Sequence, residues 1–464
     1  MRTTAAIIAA RAAAALSRGL RRGGGTALPG LVAERVDPGL VPKLAARLGQ
    51  GSALVTGTNG KTTTARLVRG ICREAGLRPV ANREGSNMMR GVAAALAESA
   101  GWGGSFPARQ KRIGVFEVDE ATMPLVARAV APRAVLFTNL FRDQLDRYGE
   151  VETVATLWRK AVRSFPAEVT LALNADDPAV ASLSDVALGP VVLYGVDDEA
   201  QAGGTLEHAA DARWCYACGA ELEYGVVFYG HLGHWRCPGC RRSRPQPDVA
   251  VSSLATTDEG MNVTLGTPAG EINVRLPFTG LYNAYNAAAA TALAVALGID
   301  TLPIDQGLAG ATAAFGRQER LAIRGRVVQV ILAKNPAGVN QVIRTITADG
   351  APQHLAVFLN DDIADGRDIS WIWDVDFELL AGCVASLVVS GRRAWDMALR
   401  LKYAGLGERP EVEHDAARAL RRAIDATPEG ATLYVIPTYT AMLDVRNILG
   451  RWAGRGAFWE GDGR

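Results

Sequence analysis

One loop constrains the fold of this chain more than any other stretch. The apolar run SALV at 52–55 predicts a buried strand, and GTNGKTTTAR follows at 57–66. Gly57 and Gly60 allow the backbone to turn sharply, and a helix is predicted to begin near Lys61. Backbone N–H groups and the positive end of the helix dipole would then face an anion, so the stretch predicts a phosphate-binding strand–loop–helix unit.

The side chains that open this helix indicate a nucleotide together with a metal ion. Lys61 would reach the outer phosphates, and the hydroxyl of Thr62 would bind Mg²⁺. The strict motif is broken at one position, where Val55 stands in place of the first glycine. A glycine-rich turn without any nucleotide is the alternative, and Lys-Thr-Thr at the helix start argues against it.

The pattern along the chain predicts an α/β protein. Short apolar runs alternate with helical stretches from 49 to about 200, which favours a mostly parallel sheet with helices on its faces. A β-hairpin is predicted over 260–277, and a buried helix is predicted to end at Gly298. The predicted domains are an N-terminal helical segment at 1–48, a central domain at 49–316 and a C-terminal α/β domain at 317–464.

Composition argues against two classes of protein. The chain has 464 residues and 48% hydrophobic side chains, but no apolar run reaches the roughly 18 residues of a membrane span. A net charge of +2 argues against a polyanion binder that relies on general electrostatics. The Arg- and Ala-rich start is typical of a transit peptide or of a short amphipathic helix, and we favour the helix and a cytoplasmic location.

Four of the six cysteines form two Cys-x2-Cys pairs with eighteen residues between them. This is the spacing of a zinc ribbon, inserted at about 211–244. Four thiolates complete a tetrahedron, so the Zn²⁺ would be structural. Two disulfides, or a ribbon that binds nucleic acid, are the alternatives. The expected ligands are Cys215, Cys218, Cys237 and Cys240.

Acidic side chains follow the predicted strand GVF at 114–116. Glu117 comes directly after it, with Asp119 and Glu120 close behind. Carboxylates at the carboxyl edge of a parallel sheet point into the ligand crevice, where one of them can hold a Mg²⁺ shared with phosphates. We assign that role to Glu117, whereas a solvated acidic turn is an adequate explanation of Asp119.

Asparagine and aspartate residues lie at three further strand or helix ends. Asn139 ends one strand, LNADDP at 173–178 ends another, and Asn283 and Asn286 lie in the first turn of a helix. Backbone capping alone also places such residues at these ends. Each of them is therefore either a cap or a contact to a bound base.

Together these segments resemble the Mur ligase family. GTNGKTT, FEVDEA, TNLFRDQLDRYG, LNADDP, GLYNAYNAAAA and FGRQER occur in that order between roughly 50 and 320. The resemblance implies a central P-loop ATPase domain, here with the inserted four-cysteine zinc ribbon, and a Rossmann-like C-terminal domain. It also implies that ATP converts a carboxylate to an acyl phosphate, which an amine then attacks.

The same resemblance implies roles for individual residues. Lys61, Thr62 and Thr63 would hold phosphate and Mg²⁺, Glu117 would serve the metal, and Asn139 with Asn286 or Asn283 would face the adenine. Gln144 stands where the family pattern DHLDRHG has a histidine, so a second metal would be held more weakly. The residues expected to bind nucleotide are Gly57, Thr58, Asn59, Gly60, Lys61, Thr62, Thr63, Asn139, Asn283, Asn286 and Arg317.

The C-terminal unit is similar to one branch of that family, the MurT branch. The similar segments are AKNPAGVNQ, LNDDIADGRDISWIWDVDFE and SGRRAWDMALRLKYAG. This resemblance implies ATP-dependent amidation of the α-carboxylate of D-glutamate in the stem peptide of lipid II. The nitrogen would come from glutamine through a GatD-type glutaminase in a heterodimer, with no nucleic acid and only peripheral contact with the inner face of the membrane.

The need for a partner also follows from the residues. Cys72 lies in a predicted helix and Cys383 in a predicted buried strand, so neither is a credible glutaminase nucleophile. In DIADGRDISWIWD, Asp365 and Asp368 flank a Gly-Arg turn. The resemblance implies that an aspartate of this segment completes a Cys-His pair in the partner. Asp365 is the preferred candidate of the two, and a solvated acidic loop is the alternative.

Two other functions stay open at this point. One is an amino-acid ligase similar to folylpolyglutamate synthase, against which the unusual C-terminal segments argue. The other is a nucleic-acid-binding ATPase with a zinc ribbon, against which the near-neutral charge argues. Co-purification of a glutaminase subunit would favour the amidating enzyme over both.

Overall fold

The computed structural model describes the chain except residues 20–27, 84, 108–109, 144–150, 204–205, 207–209, 258–259, 312–316, 349, 408–409 and 455–464, and the side chains of 18, 19, 317 and 318. Gln144 and the side chain of Arg317 therefore lie outside the described residues. The chain forms two compact units. The first contains Met1–Phe141, Val151–Gly204 and Ala212–Thr312, and the second contains Arg142–Glu150, Thr205–Asp211 and Ala313–Arg464.

The strands of the first unit are β1 Ser52–Thr56, β2 Arg78–Val80, β3 Arg112–Glu117, β4 Ala134–Phe137, β5 Thr170–Asn174, β6 Val191–Val196, β7 Glu223–Tyr229, β8 Leu232–Arg236, β9 Val249–Thr257, β10 Gly260–Thr267 and β11 Gly270–Leu276. Within the described residues, nine of them form one sheet in the order β11-β10-β9-β6-β5-β4-β1-β3-β2. From β9 to β2 all neighbours are parallel. The predicted mostly parallel sheet is therefore confirmed.

The predicted hairpin forms the antiparallel edge of this sheet. β10 and β11 pair from Met261 opposite Leu276 to Thr267 opposite Gly270, and β10 also pairs antiparallel with β9. β1 lies in the parallel part and every residue in it is buried. Its continuous apolar run is what a strand covered on both faces requires.

The helices of the first unit are α1 Arg2–Gly19, α2 Leu28–Val36, α3 Leu40–Ala45, α4 Lys61–Glu74, α5 Met89–Ser99, α6 Met123–Val130, α7 Val151–Arg163, α8 Pro178–Ala181, α9 Leu281–Ala296 and α10 Thr301–Ala309. α1 is amphipathic, with Ala6, Ile7 and Ala10 fully buried, and it packs on α2 and α5. The alanine-rich α9 is buried along most of its length and packs on α4 and on the middle of the sheet.

The cysteine-containing insertion lies between β6 and β9. β7 and β8 pair as an antiparallel hairpin, from Glu223 opposite Arg236 to Tyr229 opposite Leu232. A small core forms beneath it, in which Trp235 packs with Leu222 and with the helix residue Ala181. The insertion thus packs on the rest of the first unit through apolar contacts, in addition to the polar contacts described below.

The second unit contains β12 Arg317–Ile323, β13 Arg326–Ile331, β14 Gln353–Phe358, β15 Val384–Ser390, β16 Glu411–Val412, β17 Thr432–Pro437, α11 Pro336–Thr347, α12 Ala394–Tyr403, α13 Ala416–Asp425 and α14 Tyr439–Trp452. In the part that the structure describes, the strands form one sheet in the order β12-β13-β17-β14-β15-β16. All neighbours are parallel except β12 and β13.

Helices cover both faces of this second sheet. Ile343 of α11 and Leu401 of α12 pack on one face, and Leu420 of α13 and Met442 of α14 pack on the other. This is the Rossmann-like arrangement that the sequence predicted, and with the central sheet it confirms the predicted fold class. Among the described helices of either unit, none is both long enough and apolar enough to cross a membrane.

Candidate functional site

The predicted phosphate loop connects β1 to α4. Gly57 has φ 130° and Gly60, the residue before α4, has φ 85°. A Cβ atom on Gly57 would lie 2.0 Å from the Thr138 hydroxyl oxygen, and one on Gly60 would lie 2.1 Å from Oδ1 of Asn286. Both positions therefore require glycine, through backbone conformation and through close packing.

Two residues that directly follow β4, Thr138 and Asn139, hold the loop in place. Oδ1 of Asn139 accepts the backbone N–H of Asn59 at 2.8 Å, and its Nδ2 donates to the Asn59 carbonyl at 3.2 Å. The Thr138 hydroxyl donates to the same carbonyl at 2.8 Å. The Asn139 amide is thus bonded to the loop backbone, while its contact with adenine stays a prediction.

Thr58 connects the phosphate loop to Asn139 and Phe141, in the segment that follows β4. Its N–H donates to the Asn139 carbonyl at 2.9 Å. Its hydroxyl donates to the Phe141 carbonyl at 3.1 Å and accepts the Phe141 N–H at 3.0 Å. The loop is therefore preorganised by the polypeptide itself.

The side chain of Lys61 lies inside the loop rather than in solvent. Its ammonium contacts the carbonyls of Gly57 and Thr58, the latter at 3.0 Å, and it forms an ion pair of 3.1 Å with Glu120. Lys61 and Glu120 are buried. A buried lysine needs a counter-ion, but the sequence does not indicate which carboxylate of FEVDEA provides it, so Glu120 had no predicted role.

A second pair of side chains meets beside this ion pair. The Thr62 hydroxyl donates to Oε1 of Glu117 at 3.0 Å. Asn82 fixes Glu117 by accepting its N–H at 3.0 Å and donating to its carbonyl at 2.9 Å. A hydroxyl and a carboxylate that converge next to a phosphate loop are ligands that Mg²⁺ prefers, so the residues present fit that ion.

The start of α9 lies against the phosphate loop. Oδ1 of Asn286 accepts from the Thr64 hydroxyl at 3.2 Å, and Nδ2 donates to Oδ1 of Asn283 at 3.2 Å. Asn283 in turn donates to the Thr279 carbonyl at 2.8 Å. The structure thus brings both predicted asparagines to the loop, and Thr63 next to Thr64 is buried.

Two buried aspartates at the end of β5 connect the insertion to this region. Asp177 caps α8, where Oδ1 accepts the N–H of Ala179 at 2.9 Å, and its Oδ2 accepts the N–H of Leu140 at 2.8 Å. Nε2 of His231, from the turn between β7 and β8, lies 3.3 Å from that same Oδ2. Capping, the alternative for this residue, is therefore observed.

Asp176 makes the second connection. It accepts from the Tyr285 hydroxyl at 2.6 Å and from Nε of Arg244 at 2.5 Å. Complete burial raises the pKa of the Asp176 carboxyl, and the nearby Arg244 guanidinium opposes that rise. Since Tyr285 lies between Asn283 and Asn286 on α9, the insertion is bonded to the helix that contacts the phosphate loop.

The four cysteines of the insertion form one cluster. Their sulfur atoms all lie within 4.8 Å of one another, with 3.6 Å from Cys215 to Cys240 and 3.4 Å from Cys218 to Cys237. Tetrahedral Zn–S bonds of about 2.3 Å would place the sulfurs about 3.8 Å apart. The Cys240 N–H donates to the Cys237 sulfur at 3.4 Å, and this hydrogen bond favours the thiolate form that a metal needs.

The two candidate aspartates of the second unit differ in exposure. Asp365 is 3% exposed; its Oδ1 accepts the N–H of Thr440 at 2.8 Å, and its Oδ2 accepts the Thr440 hydroxyl. Asp365 therefore caps the start of α14. Asp368 is exposed and accepts the Ser370 N–H at 2.8 Å, which holds the pKa of its carboxyl below the usual value. Both line a pocket of about 90 Å³ together with Lys334.

Comparison with known proteins agrees with this geometry. A family model described as "Mur ligase middle domain" matches residues 55–222, and one described as "MurT ligase C-terminal" matches 332–442. The MurT subunit of lipid II isoglutaminyl synthase (glutamine-hydrolyzing) from Streptococcus pneumoniae is 34% identical, over 92% of this chain and 93% of the relative. The corresponding subunit from Staphylococcus aureus strain COL is 33% identical, over 97% of this chain and 98% of the relative.

Solved structures are similar in fold. A pseudomurein peptide ligase type C from Methanothermus fervidus has a TM-score of 0.66 at 22% identity, covering 88% of this chain and 80% of its own. MurF from Acinetobacter baumannii has a TM-score of 0.65 at 18% identity, covering 90% and 80%. The fold and the phosphate loop thus define an ATP-dependent ligase of the Mur ligase type. Within that family the chain belongs to the MurT branch.

Proposed function

We propose that this chain is the synthetase subunit of a glutamine-hydrolysing lipid II isoglutaminyl synthase. The observation that carries the proposal is the convergence of Lys61, Thr62 and Glu117 at a preorganised phosphate loop, in a chain 34% identical to a subunit of that name. The reaction converts the α-carboxylate of D-glutamate in lipid II to a carboxamide. Nitrogen comes from glutamine through a separate glutaminase subunit of the GatD type.

The chemistry has two steps that balance. A carboxylate oxygen attacks the terminal phosphorus of ATP, the bond to ADP breaks, and an acyl phosphate forms. The nitrogen of ammonia then attacks the acyl carbon, a proton leaves the nitrogen, and inorganic phosphate departs with the original carboxylate oxygen. Because water competes with ammonia for the acyl phosphate, a docked ammonia source favours the amide.

The residues of the first unit provide charge and position for the first step. Lys61 brings one positive charge to the loop, and Glu120 at 3.1 Å keeps that ammonium oriented. Thr62 and Glu117 would hold Mg²⁺, which neutralises phosphate charge when bound. Asn139 accepts the N–H groups of Thr58 and Asn59, so the loop conformation is held by the protein and needs little reorganisation when nucleotide binds.

Glu117→Gln is expected to weaken the apparent affinity for Mg²⁺ by about tenfold to a hundredfold or more. Changing a residue that only supports a metal ligand already lowers metal affinity by that factor. The amide keeps the size of the side chain and can still accept from Thr62, so the fold should be retained. A magnesium titration of lipid II-dependent ATP hydrolysis measures the effect. Glu74→Gln, an exposed glutamate at the end of α4, is the matched control, and an unchanged titration for Glu117→Gln would contradict the metal role.

The geometry favours Asp368 as the aspartate that orients a histidine in the partner's active site. The sequence alone favoured Asp365. Both carboxylate oxygens of Asp365 accept from Thr440, so this residue is occupied in holding α14. Asp368 is exposed, and a backbone N–H keeps it ionised. An exposed carboxylate is what a histidine of another subunit can reach, and an aspartate that orients such a histidine is the third member of a hydrolytic triad.

We also propose that the four cysteines hold one structural Zn²⁺. The free energy of binding such an ion is part of the free energy of folding, and four thiolates leave no open position for chemistry. Lipid II would be reached at the membrane surface through peripheral contact, since no described helix spans a bilayer.

Cys218→Ser is therefore expected to lower the melting temperature and the zinc content, while amidation per folded molecule changes less. Elemental analysis of protein purified without added metal should find one zinc per wild-type chain. Cys383→Ser, which changes a cysteine outside the cluster, is the control. Zinc-free wild-type protein with oxidised cysteine pairs would contradict the proposal and favour disulfides.

A reconstituted reaction tests the proposed function. The chain and its glutaminase subunit are mixed with lipid II, ATP, Mg²⁺ and glutamine labelled with heavy nitrogen at its amide. We expect labelled amide in lipid II, and none when ATP or either subunit is omitted. No labelled amide in lipid II, together with ATP-dependent ligation of glutamate to a folyl substrate in a parallel reaction, would contradict the proposal and favour the folylpolyglutamate synthase-like alternative.

A further inference from the structure

The β7–β8 hairpin of the insertion packs against the segment that holds the phosphate loop. The ring of Tyr229, the last residue of β7, is stacked on the ring of Phe141, and the two ring centres lie 6.0 Å apart. The ring of His231, in the turn that follows, lies 4.4 Å from that of Phe141. A Cβ atom on Gly230 would come within 2.6 Å of the same ring. Since the N–H and the carbonyl of Phe141 both bond to the Thr58 hydroxyl, a single residue separates the hairpin from the loop.

The same hairpin also packs against α9, the helix that contacts the phosphate loop. The ring of Tyr285 on this helix meets the ring of Tyr229 edge-on at 5.6 Å and that of Phe228 at 6.3 Å. Aromatic pairs in this geometry attract each other beyond the burial of their area. One residue further along α9, Asn286 packs so closely on Gly60 that a Cβ atom there would lie 2.1 Å from its Oδ1. Tyr229 therefore contacts both segments that support the loop.

A buried carboxylate fixes Tyr285 at its hydroxyl. Oδ2 of Asp176 accepts from this hydroxyl at 2.6 Å and from the N–H of Val196 at 2.8 Å. Arg244, at the end of the insertion, pairs with Asp176 at 2.5 Å and with Asp197 at 2.8 Å. Burial and the nearby carboxylate raise the pKa of Tyr285 well above its usual value, so its hydroxyl remains a donor. Charge-assisted hydrogen bonds are among the strongest in proteins, so polar contacts reinforce the ring contacts between the insertion and α9.

We propose that the β7–β8 hairpin positions the phosphate loop and that Tyr229 is the positioning residue through which the insertion sets the affinity for ATP; this inference rests on the phosphate loop of the proposed function. A loop held in its binding conformation binds with full affinity. A loop that adopts this conformation for a fraction of the time binds more weakly by that fraction. Loss of the Tyr229 ring would therefore weaken ATP binding. The rate at saturating ATP would change little, because bound ATP selects the conformation in which Lys61 and Glu117 make their contacts.

Titration calorimetry of the full chain with Mg²⁺ and a non-hydrolysable analogue of ATP tests the inference. Tyr229→Leu removes the ring and keeps a large apolar side chain, and we expect it to raise the dissociation constant about tenfold. Single changes along such coupled contacts alter affinity by about 2- to 30-fold. Tyr285→Phe keeps its ring and loses the bond to Asp176, so a smaller increase within that range is expected. Tyr229→Phe keeps the ring contacts and should bind close to wild type.

Two matched variants separate positioning from stability. Leu222→Ala removes a buried side chain from the small core beneath the same hairpin. Tyr224→Phe removes a hydroxyl that bonds to the Ala212 carbonyl within the insertion. Both should lower the melting temperature, as Tyr229→Leu and Tyr285→Phe do, but leave the affinity for the analogue unchanged. In the reconstituted reaction, Tyr229→Leu should raise KM for ATP by the factor found in calorimetry and keep kcat.

Three results would overturn the positioning role while the proposed function stands. Tyr229→Leu and Tyr285→Phe could bind the analogue as tightly as wild type. Leu222→Ala could weaken binding as much as Tyr229→Leu at the same loss of melting temperature, which would show an effect of stability alone. Tyr229→Leu could lower kcat and leave KM for ATP unchanged. A wild-type chain that binds no analogue would instead overturn the phosphate loop, and with it both the proposed function and this inference.

Discussion

Lys61→Ala is expected to stop amidation of lipid II almost completely while the complex continues to hydrolyse glutamine. Removing one preorganised group that stabilises charge in a transition state typically costs about 10²–10³ in kcat, and here the loss should be at the upper end because Lys61 is the buried cation of the loop. In the proposed function, glutamine is hydrolysed on the other subunit, where no phosphate charge has to be neutralised. Parallel assays of amide, ADP and glutamate measure all three quantities.

Lys61→Ala also needs a control for its expected loss of folding stability. Without Lys61 the buried Glu120 carboxylate loses the ammonium that lies 3.1 Å from it, and breaking a buried pair in this way costs about 3–5 kcal/mol. Lys61→Ala combined with Glu120→Gln removes that charge, so it should recover most of the melting temperature and none of the amidation. Lys160→Ala, at an exposed lysine of α7, should behave as wild type. Amidation by Lys61→Ala at a near wild-type rate would show that GTNGKTT is not the phosphate loop of this reaction.

Asp368→Asn is expected to lower glutaminase activity of the complex by up to about 10⁴ in kcat, the cost of the same change in a hydrolytic triad. The Ser370 N–H holds the pKa of Asp368 below its usual value, so the carboxylate is charged throughout the neutral range and the variant removes a real charge. Complex formation should persist because one charge is rarely the core of an interface. Added ammonia should restore amidation, since the phosphate loop is unaffected.

Asp365→Asn is the matched control for that experiment. It should keep glutaminase activity and lower stability by about 1 kcal/mol, the typical cost of losing a helix cap, because Asp365 accepts from Thr440 at the start of α14. If Asp365→Asn loses activity and Asp368→Asn keeps it, the original sequence-based preference is correct. If both variants hydrolyse glutamine normally while bound, the acidic loop does not serve the partner's active site.

Local patterns predicted the parts of this structure that depend on neighbouring residues. The apolar run before Gly57, the two glycines and the helix that begins at Lys61 are all found where the sequence placed them. The β10–β11 hairpin and the four-cysteine cluster were equally predictable, because strand alternation and the Cys-x2-Cys spacing are short-range properties of the sequence.

Contacts between distant segments were not predictable in this way. Asp365 caps a helix that starts about seventy residues further along the chain, and Glu120 neutralises a lysine from another strand–loop unit. The sequence does not predict either pairing, because FEVDEA and DIADGRD each contain several acidic residues and nothing in the local pattern indicates which one makes the contact. Only tertiary packing decides which carboxylate is buried with a partner and which, like Asp368, is left exposed.

The most direct test of the central claim follows the carboxylate oxygen. Lipid II carrying heavy oxygen in the α-carboxylate of D-glutamate is incubated with the complex, ATP and an ammonia source, and the inorganic phosphate is analysed by mass spectrometry. Activation as an acyl phosphate predicts one heavy oxygen in phosphate for each amide formed. Amide formation with no label in phosphate, or label that appears in AMP instead, would contradict the account.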